Sequence, residues 1–351
     1  MIFVGMDVHC KTTTMCLLDP SLPEDRQHRV VTCETTSAAI QGVLAPLKGE
    51  CKVAFEVGTQ SQLIAGMVRP LAREVQVANP SQVPWLFRDG RKNDRIDARK
   101  LAVLLYMDQL PQVHLPSREV SAWRSLINYR RALVHQRTAI KIRIRTILRS
   151  LGLRYLGRGT VWSRVGMIWL EMAVSDNAVQ RLMMQSLVTE LQAKNEQILA
   201  VEQELEKIAR QYPAVALLQT IPGIGPRTSE AVVAYTDEIR RFSRSRKFAS
   251  YFGLTPTEDS SAGVVRYGHI SKRGPSVVRW VLGEATHQVI KYCPELRAFF
   301  DRLHRGQKDR KKKAIVGTAR KVLTVMFRML RDGTVFDPSR IGPDGLGEKV
   351  A

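Results

Sequence analysis

Apolar and polar positions change rhythm repeatedly along the first hundred residues. "MIFVGMDV", "TTTMCLLDP" and "HRVVTCETT" are short runs rich in apolar and β-branched residues, and they predict three strands. "SAAIQGVLAPLKG" has helical spacing and a closing glycine. "CKVAFEVG" predicts a strand, "SQLIAGMVRPLARE" a helix, "VQVANP" a strand and "DRIDARKLAVLLYMDQL" a helix. Hairpin strands followed by β–α alternation imply a mixed sheet flanked by helices. The rhythm turns wholly helical near Pro116. From Ser117 to about Gly152 the pattern is helical and very basic. "VWSRVGMIWLEMAV" is a further helical segment that the pattern does not place. In "LVTELQAKNEQILAVEQELEKIARQYP", Leu191, Ile198, Val201, Leu205 and Ile208 run down one side, as in a coiled-coil arm or a helix hairpin. Pro213 ends that helix, and the last third is mostly helical. The expected organisation is α/β followed by α: an N-terminal domain over 1–115, a basic helical region over 116–212 and a C-terminal domain over 213–351.

Composition changes this picture in one respect. Apolar content of 44% and charged content of 25% are ordinary for a chain that builds a core. The balance is not ordinary: 54 Lys and Arg stand against 33 Asp and Glu over 351 residues, a formal charge of +21. Such a surplus implies a polyanionic partner, nucleic acid before a membrane surface, since no segment reads as a basic helix with a clean apolar face. The N-terminal apolar run is interrupted by Asp7, His9 and Lys11, so it reads as neither a signal peptide nor a membrane span. Five cysteines with no C-x-x-C pair fit reduced thiols in a cytosolic protein.

The charge is concentrated. Between Arg118 and Arg154 there are ten Arg or Lys and the single acid Glu119. Arg137, Lys141, Arg145 and Arg149 recur every fourth residue and form one helix face, beside Ile140, Ile144 and Leu148. A solvated face ordinarily mixes signs, so this stripe suits phosphate contacts.

Against this background "RKNDRIDARK" is odd, because Asp94 and Asp97 share a helix face inside a basic run. Neighbouring cations neutralise such a pair in the simplest reading. Two further acids change it: Asp7 within the first strand and Glu56 at the end of another. An acid within an apolar strand is costly unless paired or metal-bound. Asp7, Glu56, Asp94 and Asp97 are therefore expected to converge at one side of the sheet, where four carboxylates suit one or two Mg²⁺ ions. "IPGIGPRTS" offers Gly223, Gly225 and Arg227 in a tight turn ahead of a helix, in the manner of a helix–hairpin–helix backbone clamp. "TEDSSAGVVRYGHISKRG" places Ser260 and Ser261 ahead of Arg266, Lys272 and Arg273. By pattern alone it is a polar loop with no triad spacing. The residues by themselves thus support a metal-dependent nuclease, such as a junction resolvase, or a non-catalytic nucleic-acid-binding protein.

Taken in order, the motifs resemble a family, the DEDD transposases of the insertion-sequence-110 class, relatives of Piv-type DNA invertases. "GMDVH", "FEVGT" and "NDRIDARKLA" are similar to its acidic motifs. "IPGIGPRTSEAVVAY", "FASYFGLTP", "SSAGVVRYGHISKRG" and "VFDPSR" are similar to landmarks of its C-terminal domain. The resemblance implies a RuvC-like, ribonuclease-H-type N-terminal domain binding Mg²⁺ through Asp7, Glu56, Asp94 and Asp97. A coiled-coil region would follow, then a C-terminal transposase domain. It implies a serine nucleophile, Ser261 with Ser260 as second candidate, that forms a transient phosphoserine link to DNA. It also implies a cytoplasmic, nucleoid-associated prokaryotic protein that works as a dimer or tetramer. Its partners would be donor and target DNA paired through a structured bridge RNA.

Overall fold

The computed structural model describes residues 1–79, 93–173, 177–258 and 266–341. The chain divides into two compact units, Met1–Arg118 and Glu119–Ala351.

The first unit is a five-stranded sheet in the order β3-β2-β1-β4-β5, formed by β1 (Ile2–Val8), β2 (Thr12–Leu18), β3 (His28–Glu34), β4 (Cys51–Glu56) and β5 (Glu74–Ala78). The first three strands are antiparallel, and β1, β4 and β5 run parallel. Short hairpin links allow the antiparallel half, while the parallel half needs the crossover helices α1 (Ser37–Leu44) and α2 (Ser61–Val68). Helix α2 stops two residues before Pro70, which cannot continue it.

Strand alternation decides what each face meets. Ile2, Val4, Met6 and Val8 point to one side and share a core with Ile40 and Leu44 of α1 and Ile64 and Val68 of α2. Phe3, Gly5 and Asp7 point to the other side, which is covered by α3 (Asp94–Tyr106). The approach of α3 to β1 is close. A Cβ on Gly5 would lie 2.1 Å from the Ala98 carbonyl oxygen and 2.4 Å from the Ala102 nitrogen. Phe3 meets Tyr106 edge-on at 5.2 Å. Phe3 beside Tyr106 and Gly5 beside Ala98 fix the direction: α3 runs antiparallel to β1, with its first turn at the end that carries Asp7.

The second unit is helical apart from one small hairpin. Helices α4 (Arg118–Ser150) and α6 (Ala178–Ala209) form a long antiparallel arm. Ile140, Ile144 and Leu148 pack with Met184, Val188 and Leu191, and α5 (Arg164–Met172) adds Leu170 to the same cluster. The arm is therefore the hairpin of the two forms expected. Helix α6 begins well upstream of the apolar seam that announces it. Asn177 caps it, accepting from the amides of Val179 and Gln180.

The other ends of α4 and α6 do not stand apart from the C-terminal region. Trp123, Ile127, Leu205 and Ala209 lie in one core with the remaining elements. These are α7 (Pro213–Gln219), α8 (Pro226–Thr236), α9 (Ser245–Tyr251), the β6–β7 hairpin (Pro256–Glu258, Tyr267–Ile270), α10 (Ser276–Tyr292), α11 (Pro294–His304) and α12 (Lys311–Asp332). The regions expected over 116–212 and 213–351 thus share a single body. No helix among the described residues is long and apolar enough to cross a membrane.

Candidate active site and nucleic-acid surfaces

Three elements bring acids to one end of the sheet. Asp7 lies next to last in β1, on the α3 face. The parallel register pairs Met6 with Phe55, so Glu56, the last residue of β4, occupies the neighbouring row on the same face as Asp7. Helix α3 contributes its first turn. The Asn93 side chain accepts from the Arg95 amide at 3.0 Å and fixes the helix start, which puts Asp94 and Asp97 where the macrodipole favours anions. The acid pair within the basic run is thus an N-terminal helix feature aimed at a strand end.

His9 completes the group. Its Nε2 lies 3.5 Å from Asp7 Oδ2 and 3.5 Å from Asp94 Oδ1. Its backbone is held on both sides, the amide donating to the Thr12 carbonyl and the carbonyl accepting from Thr35 Oγ1. One ligating atom from each of Asp7, His9 and Asp94 fits within 4.8 Å of the others, an arrangement able to hold a cation. The Asp7 side chain is 18% exposed and those of His9 and Asp94 more than half. Burial raises the Asp7 carboxyl above the ordinary carboxylate range, His9 opposes this, and the charges of Asp94 and Asp97 add to it. His9 was not among the expected site residues. The available signal is its position two residues past Asp7, a same-side spacing for extended chain.

The basic stripe lies along α4. Arg145 and Arg149 are exposed, and Arg137 and Lys141 are partly covered. Trp162, from the connection after α4, presents its ring to Lys141 at 4.9 Å and to Arg145 at 5.3 Å. Burial, then Arg137 and Arg145, lowers the Lys141 pKa.

The turn proposed as part of a helix–hairpin–helix-like clamp joins α7 to α8, and its residues have different tasks. Gly223 has φ of +90°, and a Cβ there would meet the Val289 nitrogen of α10 at 2.5 Å. Its lack of a side chain serves close packing of the turn on α10. Gly225 caps α8 with open space around it. Arg227 is turned inward. Its Nη1 donates to the Glu202 carbonyl at 3.2 Å, and its Nη2 lies 3.0 Å from Glu230 Oε1. Glu230 is 1% exposed, and neither carboxylate oxygen has a well-aligned hydrogen bond. Burial pushes Glu230 up to about 7, against the pull of Arg227 and Arg130. Arg130 in turn pairs with Glu202. Arg227 therefore answers a buried acid, which the local sequence does not announce.

Arg266, Lys272 and Arg273 are exposed around the β6–β7 hairpin, while Ser260 and Ser261 lie outside the described residues, as do Arg91 and Lys92. Both stems of the hairpin are tied down. Arg279 Nη1 lies within hydrogen-bond reach of the carbonyls of Phe252, Arg273 and Gly274, at 3.1, 2.8 and 3.1 Å. A Cβ on Gly274 would sit 2.0 Å from the Tyr251 carbonyl oxygen.

Known proteins share this arrangement of sequence. Residues 4–152 match the family model for DEDD-type IS110 transposases, and residues 215–301 match that of the transposase IS116/IS110/IS902 family. A Pseudomonas aeruginosa protein described as "Probable family 20 transposase" is 28% identical over 294 residues, 82% of this chain and 86% of that protein. The transposase for insertion sequence element IS1111A of Coxiella burnetii is 27% identical over 295 residues, 82% and 78% of the two chains. The transposase for insertion sequence element IS1328 of Yersinia enterocolitica is 25% identical over 292 residues, 82% and 85% of the two. An acid-ended mixed sheet lies under the first match and a helical body under the second. In order, the two matches and these relatives make the chain similar over most of its length to insertion-sequence transposases of the IS110/IS116/IS902 type.

Proposed function

We propose that this chain is a transposase that cleaves and exchanges DNA strands by divalent-cation-dependent phosphoryl transfer through a phosphoserine intermediate. The observation that carries the metal half is the convergence of Asp7, His9 and Asp94 beside Asp97 and Glu56. The donor chemistry fits. Carboxylate oxygens suit Mg²⁺ or Mn²⁺, and Asp7, held above its range first by burial and further by Asp94 and Asp97, is a group that a bound cation would favour. Asp7, Glu56, Asp94 and Asp97 would hold the ion. Bound there, it would neutralise charge that builds on a transferring phosphate. The sheet order β3-β2-β1-β4-β5, antiparallel then parallel, supports a RuvC-like, ribonuclease-H-type reading of the first unit.

Ser261, or Ser260 as second candidate, is the proposed nucleophile. Its Oγ–P bond forms as the P–O bond to the leaving strand end breaks, and the serine proton leaves with the departing oxygen. The link preserves phosphodiester energy for rejoining. The acids of one copy and the serine of another would complete each site, in a dimer or tetramer on donor and target DNA paired by a bridge RNA. Arg137, Lys141, Arg145 and Arg149, the Gly223–Gly225 turn, and Arg266, Lys272 and Arg273 are the proposed backbone contacts. The order of motifs supports these roles, and the charge of +21 supports a nucleic-acid partner.

Covalent trapping tests the reading. Protein, Mg²⁺, the element's flanking RNA and labelled donor and target DNA are mixed, denatured and resolved on a gel. A DNA-linked protein band that vanishes in Ser261→Ala and Ser260→Ala combined is expected. Mg²⁺-dependent free ends without a linked band would replace this reading with a nuclease that uses the acids alone.

A further inference from the structure

The strongest concentration of cations in the second unit lies outside every surface described so far. It is the elbow between α11 and α12, beyond residue 301, where the family match ends. Residues 302–313 hold seven Arg or Lys and one acid, Asp309. Six of them, Arg302, Arg305, Lys308, Lys311, Lys312 and Lys313, are exposed, and Arg310 is partly so. Among the described residues none of these seven has an acid within ion-pair distance; the nearest pair on α11, Arg297 with Asp301, lies earlier in the helix.

The elbow is a shaped connection. Arg305 closes α11 in the left-handed region, φ +53°, with its amide on the Asp301 carbonyl, and Gly306 follows at φ +68°. The Gln307 amide donates to His304, the Arg310 amide to Gln307, and a 3-10 turn over Lys308–Arg310 leads into α12. The cations are thus presented from fixed backbone.

Their placement opposes local stability. Lys311, Lys312 and Lys313 fill the first turn of α12, which contains no acid and no side-chain cap. Cations at that end oppose the macrodipole and repel one another. The α4 stripe differs, because the Trp162 ring lies against Lys141 and Arg145. Lys321 lies over the Phe299 ring, and burial first, then Arg328 and Arg302, pushes it down to about 8. A cluster that breaks helix rules without internal compensation is best explained by an external anion. A lipid surface is a poor match, since Leu303 is the one large apolar side chain exposed among residues 302–313.

We propose that the α11–α12 elbow docks a phosphodiester backbone, as a surface separate from the α4 stripe and from the β6–β7 hairpin. This rests on the nucleic-acid reading given above. The test uses the full chain, with Lys311→Ala, Lys312→Ala and Lys313→Ala combined. Binding is measured over a range of salt concentrations to a duplex DNA and to a structured RNA of equal length. Loss of three backbone contacts lowers the slope of log affinity against log salt by about 2–3 on the nucleic acid that the elbow holds. The melting temperature of the variant should equal or exceed the wild type, which separates lost contact from lost fold. A reduced slope on DNA, on RNA or on both supports the surface and names its source. Wild-type slopes on both overturn it while leaving the wider reading intact. A wild-type chain that binds neither overturns both.

Discussion

Two carboxyl groups, one in each unit, are held above their ordinary range for the same first reason, burial, and yet they are opposite kinds of site. Asp7 stands at an open strand end with Asp94 and Asp97 for neighbours. Glu230 is enclosed at 1% exposure, with Arg227 and Arg130 for neighbours, beside a cavity of about 10 Å³ at the lower limit for one water. Around Asp7 the missing component is positive charge, and solvent can deliver it. Around Glu230 the positive charge is already built in, and nothing large can enter. A perturbed acid therefore points to chemistry only where its surroundings are both accessible and uncompensated. Glu230 instead helps hold α8 to the base of the arm, through Arg227, Glu202 and Arg130.

The largest expected effect breaks the first site by its foundation. Gly5→Val puts a side chain where even a Cβ meets α3 backbone at 2.1 Å. Helix α3 must lift from the sheet, at a cost of about 3 kcal/mol or more. Thermal unfolding should show a large loss, and cleavage should be lost with it. Next, Asp7→Asn should lower Mg²⁺-dependent cleavage by at least about a thousandfold, about 4 kcal/mol of barrier. It should leave the melting temperature equal or higher, since it removes a like-charge contact.

The matching change in the second unit sharpens the contrast. Glu230 holds its proton up to about 7 in the folded chain, against an ordinary value of 4.5. Its contribution is favourable at low pH and is lost as pH rises from about 4.5 to about 7, because there the unfolded chain releases a proton that the folded chain retains. The span corresponds to about 3 kcal/mol. Glu230→Gln should flatten that decline in a comparison of melting at pH near 5 and near 8, with strand cleavage unchanged. The smallest effect is expected at Arg145→Ala. It should reduce the salt slope of DNA binding by about 1 and shift stability by less than about 1 kcal/mol, the scale of one exposed cation–π contact.

The same contrast explains what could be read from sequence. Strands β1 to β5 and helix α3 follow from local rhythm, since each buries a face that its own spacing defines. Asp7 could be set within one strand, Glu56 at the end of another, and Asp94 and Asp97 on one helix face, from position alone. His9 was missed because its spacing from Asp7 shows only which side it takes, while its approach to Asp94 arises when the first turn of α3 meets the end of β1. Arg227 was misread because its partners, Glu230 and the Glu202 carbonyl, come together only when α6 meets α8. Gly223 has the turn geometry expected of it, but its missing side chain answers α10, some sixty-five residues on. Local chemistry was legible, and compensation from distant helices was not.

The central claim is that the acids at the end of β1 form a divalent-cation site. Calorimetric titration of the full chain with Mn²⁺ tests it most directly, for the wild type and for Asp7→Asn combined with Asp94→Asn. The account predicts saturable binding of one or two ions to the wild type and none at that site in the variant. Equal binding by both proteins, or no binding by the wild type, would contradict it.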